Sequence, residues 1–207
     1  MRNMITIIDY GMGNIGTIVN KFEKLDIPVK VTSDPSDIQS AEKLILPGVG
    51  SFDAGIKNIN NLNIINPLKK AILENQIPIL GICLGMQLFT KKSEEGSLAG
   101  FGLFDCNTIK FQIPRHETRL KIPHMGWNTI KILQESPLLE NISKDPRFYF
   151  VHSFHVNCQI QGFITAVTNY GYDFPSVIQN KNIYGVQFHP ERSHSQGLTI
   201  LKNFAEL

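Results

Sequence analysis

The first half of the chain alternates short apolar runs with helical periods. Ile5 to Asp9 is an apolar run stopped by Gly11 and Gly13. Apolar residues then recur at Ile15, Ile18, Val19, Phe22 and Leu25, the spacing of one helix face. Pro28 to Val31 reads as a strand, and Lys43 to Leu46 as another that ends at Pro47-Gly48. Two helical stretches follow, around Ser51–Asn60 and Ile64–Asn75. Pro78 to Cys83 reads as a buried strand, and Leu84 to Phe89 continues as a helix. Strand-helix alternation of this kind predicts a parallel sheet covered on both faces.

The second half changes style. Phe104–Phe111, Trp127–Leu133, Tyr149–His152, Gly162–Thr168, Ser176–Gln179 and Ile183–Phe188 read as strands with short links. Only Ser136–Ile142 and the C-terminal Ser195–Glu206 read as helical. The expectation is a more antiparallel half joined to the parallel one, in a single domain over residues 1–207. The Asn-rich stretch Asn58–Asn63 reads as a surface turn.

Composition narrows the class. With 42% hydrophobic and 18% charged residues, the chain has a globular rather than a disordered composition. A chain of 207 residues buries roughly 70% of its unfolded surface, so it needs no metal or disulfide staple. The net charge of +2 is too balanced for a nucleic-acid or anionic-membrane binder recognised by charge. Cys83, Cys106 and Cys158 are odd in number and widely spaced. That argues against a disulfide framework and for a reducing cytoplasm. The opening Met1-Arg-Asn-Met4 and its short apolar run do not make a signal peptide. No run is long enough to span a membrane.

Gly81-Ile-Cys-Leu-Gly85 sits where a predicted strand becomes a helix. A nucleophile there occupies a sharp turn, and the flanking glycines allow close strand-helix packing. The helix N-terminus offers N–H groups and a positive dipole end, both of which favour a Cys83 thiolate. A buried structural cysteine between two incidental glycines is the other reading. A nucleophile needs a base and an orienting group. Val186-Gln-Phe-His-Pro-Glu191 supplies candidates. Pro190 ends the strand at His189, and Glu191 can then fold back to the imidazole and fix its tautomer. Leu46-Pro-Gly-Val-Gly50 follows another strand end, where glycines let the backbone approach a ligand or flip a peptide. An N–H from that loop and the N–H of Leu84 would form an oxyanion hole, although a plain turn is an equal reading of the loop alone.

Taken together these segments resemble the class I (triad) glutamine amidotransferases. More narrowly, the chain is similar to the glutaminase subunits of imidazole glycerol phosphate synthases. The matching segments are Asp9–Asn14, Leu46–Gly50, Gly81–Gln87, Ser93–Gly96, Pro123–Asn128, Phe148–Ser153 and Gly185–Glu191. They run in family order along essentially the whole chain. The resemblance implies a three-layer α/β sandwich with a mostly parallel central sheet. It implies that Cys83 attacks the glutamine amide, that His189 moves the proton and that Glu191 orients His189. The backbones of Val49, after a peptide flip, and Leu84 would hold the oxyanion. Gly50, Gln87, Glu95, Ser153 and Phe154 would hold glutamine. No metal and no organic cofactor is implied. Ammonia would pass to a (β/α)8-barrel cyclase subunit that forms imidazole glycerol phosphate and AICAR in histidine biosynthesis.

The same resemblance places Asn14, His124, Met125, Trp127, Tyr149 and Arg192 on the face towards that partner. Trp127 is the only tryptophan, and such a residue is more often core. Arg192 stands where the family more often has lysine, so the charge is kept and the geometry differs. His116, in Arg115–Arg119, reads as solvated. His152 and His155 read as lying on one strand at a spacing that does not share a face. His194 reads as part of a loop entering the last helix, with Ser195 as its cap. Cys106 and Cys158 read as structural. The closest competing expectation is a paralogous glutaminase that supplies ammonia for amidation of a sugar in surface-polysaccharide synthesis. Phe52–Gly55 and the segment from Ser193 to Phe204 carry that resemblance. A different triad amidotransferase fits Pro123–Asn128 poorly. A non-enzymatic binding module would be expected to lose Cys83, His189 or Glu191.

Overall fold

The computed structural model describes residues 4–113, 117 and 119–207. The readings of Met1-Arg-Asn3 and of His116 fall outside these residues. In chain order the elements begin with β1 (Ile5–Ile8), α1 (Ile15–Lys24), β2 (Val29–Thr32), α2 (Pro35–Gln39) and β3 (Lys43–Leu46). Next come α3 (Phe52–Asn61), α4 (Ile65–Lys69), a π-helical turn over Lys70–Glu74, β4 (Ile79–Ile82) and α5 (Leu84–Leu88). The second half holds β5 (Asn107–Lys110), β6 (His124–Thr129), β7 (Lys131–Ile132), β8 (Arg147–His152), β9 (Phe154–Asn157) and β10 (Ile164–Asn169). The chain closes with β11 (Asp173–Asn180), β12 (Ile183–Val186) and α6 (His194–Glu206).

Eight strands form the central sheet in the order β2-β1-β3-β4-β12-β11-β10-β7. The pairings from β2 to β12 are parallel, and those from β12 to β7 are antiparallel. The inner parallel strands β1, β3, β4 and β12 are buried throughout because both of their faces are covered, while the edge strand β2 exposes Lys30 and Val31. Side chains still alternate between faces. Leu44 and Leu46 point into one core with Phe52, Leu68 and Leu88, from α3, α4 and α5. Ile45, Leu80 and Ile82 point into the other with Ile18, Phe22, Leu201 and Phe204, from α1 and α6. The result is helix, sheet, helix.

The antiparallel half is more divided than the sequence suggests. Two small sheets, β5-β9 and β6-β8, stand apart from the main one. The stretch read as one strand over Trp127–Leu133 is two, because β6 pairs with β8 while β7 joins β10. Ser136–Ile142 is helical only as a 3-10 turn at Pro137–Leu139, and Asn141 has a positive φ. The last helix begins at His194, so Ser195 lies inside it rather than capping it. His152 ends β8 while His155 lies on β9, so the two do not share a strand.

The reading against a disulfide is corrected, while Cys106 and Cys158 remain structural. Cys106 and Cys158 form a disulfide, with Cα atoms 4.6 Å apart. Their separation of 52 residues hides the pairing. It follows from register, because β5 and β9 are antiparallel with Asn107 opposite Asn157. The next pair outward is therefore Cys106 opposite Cys158. An odd count excludes only that every cysteine is paired, and Cys83 is the free one.

Gly85 is where helix α5 meets strand β3. A Cβ there would fall onto the Leu46 carbonyl, which is backbone and cannot swing away. Gly85→Ala should therefore cost about 3 kcal/mol by overpacking. Urea unfolding should show the midpoint moving down by that amount, and an unchanged midpoint would contradict the close approach.

Candidate active site

Cys83 follows the last residue of β4, between two strands that run the same way. Its N–H donates to the Val186 carbonyl of β12 at 2.8 Å, extending the parallel ladder by one residue. The chain then turns sharply into α5, with Cys83 at φ 54° and ψ −109°. A non-glycine residue held there costs on the order of 1–3 kcal/mol, supplied by its surroundings. The flanking glycines make the turn possible. A Cβ on Gly81 would come within 2.7 Å of the Met86 backbone nitrogen.

His189 emerges three residues after the end of β12. The 3-10 turn at Pro190–Arg192 folds Glu191 back beneath it. His189 Nδ1 donates to Glu191 Oε1 at 2.8 Å, and both side chains are almost fully buried. That bond assigns the other ring nitrogen, Nε2, to the site. Among the described residues, Nε2 is buried without a hydrogen-bond partner. Burial alone would push the imidazole down. The charges of Cys83 and Glu191 outweigh it and hold His189 up at about 10. The backbone of the turn is tied by Ser193, whose hydroxyl donates to the His189 carbonyl (2.6 Å) and accepts from the Tyr149 N–H (2.9 Å).

The Pro47–Gly50 loop lies against this elbow. The Leu84 N–H donates to the Gly48 carbonyl over a long 3.4 Å. The amide that could hold an oxyanion is thus occupied by the loop. Tyr10 anchors the loop from below, its hydroxyl donating to the Pro47 carbonyl at 2.6 Å. Burial, reinforced by the charge of Cys83, pushes the Tyr10 phenol well above its ordinary range, so it stays a donor. Gly50 has φ +121°, a conformation that suits glycine.

Cys83 opens onto a cavity of about 490 Å³. Val49, Gly50 and Leu84 line one part of it, and Gln87, Glu95, Ser153 and Phe154 another. Asn14 and Arg192 reach the same cavity. Glu95 is fixed by the Phe52 N–H at the start of α3, which donates to its Oε2 at 2.8 Å. Gln87 is fixed twice, its Nε2 donating to the Phe154 carbonyl (2.9 Å) and to Gln187 Oε1 (3.0 Å). Gln187 Nε2 in turn donates to the Cys83 sulfur at 3.6 Å.

The remaining residues separate. Met125 and Trp127 are exposed on β6. Trp127 makes edge contact with Tyr149 and stacks on His194 at 4.9 Å, which gives His194 a defined place at the start of α6. Arg192 lies over the Tyr149 ring at 5.3 Å. His124 lies beneath this surface, lining a cavity that Met125 and Trp127 share. It is 3% exposed, stacked between Phe150 and Tyr170. The physical reason is strand alternation, which sends Met125 and Trp127 out and His124 in.

Sequence reading missed Tyr10, His152, Gln187 and Ser193. Two of them had a usable signal. Gln187 is a polar residue in the middle of an apolar strand end, where a buried amide needs partners. Ser193 follows a Pro-containing turn, where a hydroxyl can tie the backbone. Tyr10 and His152 act through contacts that only the folded chain brings together.

The family described as glutamine amidotransferase class-I matches residues 6–207. An imidazole glycerol phosphate synthase subunit HisH 2 from Methanococcus maripaludis is 48% identical, over 97% of this chain and 98% of its own length. A subunit HisH 1 from Campylobacter jejuni is 44% identical, over 99% of this chain and all of its own. Among solved structures, PurLQS from Thermotoga maritima superposes with a TM-score of 0.72 at 16% identity, covering all of this chain and 98% of the other. A glutamine amidotransferase from the same organism gives 0.65 at 15% identity, covering 92% of this chain and 77% of the other. The chain belongs to the class I glutamine amidotransferase family, within its group of HisH subunits of imidazole glycerol phosphate synthase.

The coupling of His189 to Cys83 gives a direct test. Cys83→Ala removes the strongest upward influence on the imidazole, so its titration should move down from about 10. Glu191→Gln should lower it by a smaller step. NMR titration of the His189 ring reads both. A titration that Cys83→Ala leaves in place would mean that the sulfur does not act on this histidine.

Proposed function

We propose that this chain is the glutaminase subunit of an imidazole glycerol phosphate synthase, one domain over residues 1–207. The observation that carries the reading is the Cys83 elbow facing a buried His189–Glu191 pair, in a chain that aligns end to end with HisH subunits.

Glutamine lies in the cavity with its side-chain amide carbon above Cys83 Sγ. Gln87, Glu95, Gly50 and the backbone of Ser153 and Phe154 hold it. The thiolate attacks the carbon, and the carbonyl oxygen becomes an oxyanion. The Leu84 N–H receives it, joined by the Val49 N–H after the loop peptide flips. His189 gives its Nε2 proton to the leaving nitrogen, so ammonia departs and a γ-glutamyl thioester remains. The neutral imidazole then takes a proton from water, which attacks the thioester and releases glutamate and the thiolate. Glu191 keeps Nε2 aimed at the sulfur through both steps.

The ammonia passes through a protected channel to a (β/α)8-barrel cyclase subunit, which uses it to form imidazole glycerol phosphate and AICAR. Water must be excluded, because protonated ammonia is no nucleophile. Asn14, Met125, Trp127, Tyr149 and Arg192 form the face towards that partner in a heterodimer. His124, placed by the resemblance on the same face, is buried beneath it. This role implies a cytoplasmic location. Among the described residues, no helix is long and apolar enough to cross a membrane.

The 3.4 Å contact between Leu84 and Gly48 supports low activity in the isolated chain, because the loop carbonyl sits where the oxyanion belongs. One missing oxyanion donor costs roughly 100-fold or more in rate. Glutamate release should therefore be slow for the chain alone. It should rise about 100-fold when the cyclase and its phosphoribosyl-formimino-AICAR substrate are both present. Equal rates in the two mixtures would overturn the histidine-pathway reading. In the complex, Cys83→Ala should abolish glutamine-dependent synthesis and leave synthesis from added ammonia intact. Loss of both would overturn the division of labour.

A further inference from the structure

His152 in the cavity wall and His124 behind it, both buried, form a chain whose proton positions can be worked out from their partners. The Asn128 side-chain oxygen accepts from the Thr129 N–H at 2.8 Å. Its nitrogen is therefore the donor towards His124 Nε2 (3.2 Å) and the Asn169 carbonyl (3.0 Å). At the other end, His152 Nδ1 faces the Phe154 carbonyl at 2.8 Å. A carbonyl only accepts, so His152 carries its proton on Nδ1. Burial holds His152 well below the ordinary histidine range and His124 down to about 4, so both rings are neutral at neutral pH. With Nδ1 protonated, His152 Nε2 can only accept. His124 Nδ1, 3.0 Å away, must then donate, which leaves His124 Nε2 as the acceptor that Asn128 requires. Every donor meets an acceptor, in one direction.

The chain ends on an atom of the cavity. The Phe154 carbonyl receives His152 on one side and Gln87 Nε2 on the other. Gln87 spends its second N–H on Gln187 Oε1, which leaves its own oxygen as the unengaged acceptor at the cavity. We propose that His124 and His152 are positioning residues for substrate recognition. They fix the Phe154 carbonyl, and through it the orientation of the Gln87 amide, by a directed hydrogen-bond chain that begins at Asn128 on β6. The proposal rests on the reading of this cavity as the glutamine site. Neither histidine touches the reacting atoms.

The test begins with the unmodified full chain. Long-range 15N NMR of the imidazoles should show His124 and His152 both in the Nδ1–H form, and an Nε2–H form at either overturns the proposal. His124→Phe keeps a ring in the stack with Phe150 and Tyr170 but has no nitrogen to pass on. Inactivation of Cys83 by a glutamine chloroketone is read as rate against reagent concentration. The half-saturating concentration should rise roughly five-fold in His124→Phe, the effect of one lost hydrogen bond, while the limiting rate changes by less than about two-fold. His124→Gln, with both a donor and an acceptor, should recover most of the difference. A purely structural role would lower the reactive fraction and leave half-saturation unchanged, and that result overturns the proposal. Absence of saturation in the unmodified chain would overturn the glutamine reading, and this proposal with it.

Discussion

Strand β4 lies between β3 and β12, parallel to both. Ile45 pairs with Leu80 on one side, and Ile82 pairs with Val186 on the other. Parallel pairing means that all three strands end at the same edge of the sheet. The loop at Pro47–Gly50, the Cys83 elbow and the His189 turn are therefore neighbours, although His189 lies more than a hundred residues beyond the other two. A shift of one residue in either pairing would exchange the faces of every side chain on the strand. The buried apolar residues on both faces forbid that shift. The site is held by the core rather than by its own contacts, and the strained φ of Cys83 can persist because that core over-determines it.

The same burial sets the electrostatics. His189 and Glu191 lie almost wholly out of water, where an unpaired charge would be expensive. Glu191 is joined to His189 by one short bond, and its second oxygen is buried with no partner among the described residues. The imidazole is thus pulled in opposite directions, down by burial and up by the neighbouring charges, and the charges prevail. A histidine that would be mostly neutral in water at pH 7 remains protonated here when Cys83 is a thiolate.

Much of this is legible in the unfolded chain. The run Lys43–Leu46 is the whole of β3, and the strand-to-helix change at Cys83 falls where the glycines require it. Local rules suffice there, because a buried parallel strand is one uninterrupted apolar run. The antiparallel half is less legible. Nothing local says that Trp127–Leu133 divides between two sheets. Nothing in a spacing of 52 says that Cys106 meets Cys158, since only the β5–β9 register brings them together. His124 is a different case. Resemblance assigns it to the partner face, while the alternation of β6 puts it on the opposite side from Met125 and Trp127.

The two walls of the cavity are held in contrasting ways. On the β3 side, the Gly48 carbonyl fills the Leu84 amide through a long 3.4 Å contact. A bond of that length is weak, and Gly50, at φ +121°, holds a conformation that suits glycine. On the β8–β9 side, the Phe154 carbonyl is bound from both flanks at 2.8 and 2.9 Å. Its donors are neutral, buried and fixed in direction, so rotating that peptide would orphan two N–H groups at once. Each orphan costs about 1–3 kcal/mol. The β8–β9 wall is therefore the more firmly held of the two, and the Leu84–Gly48 contact the looser.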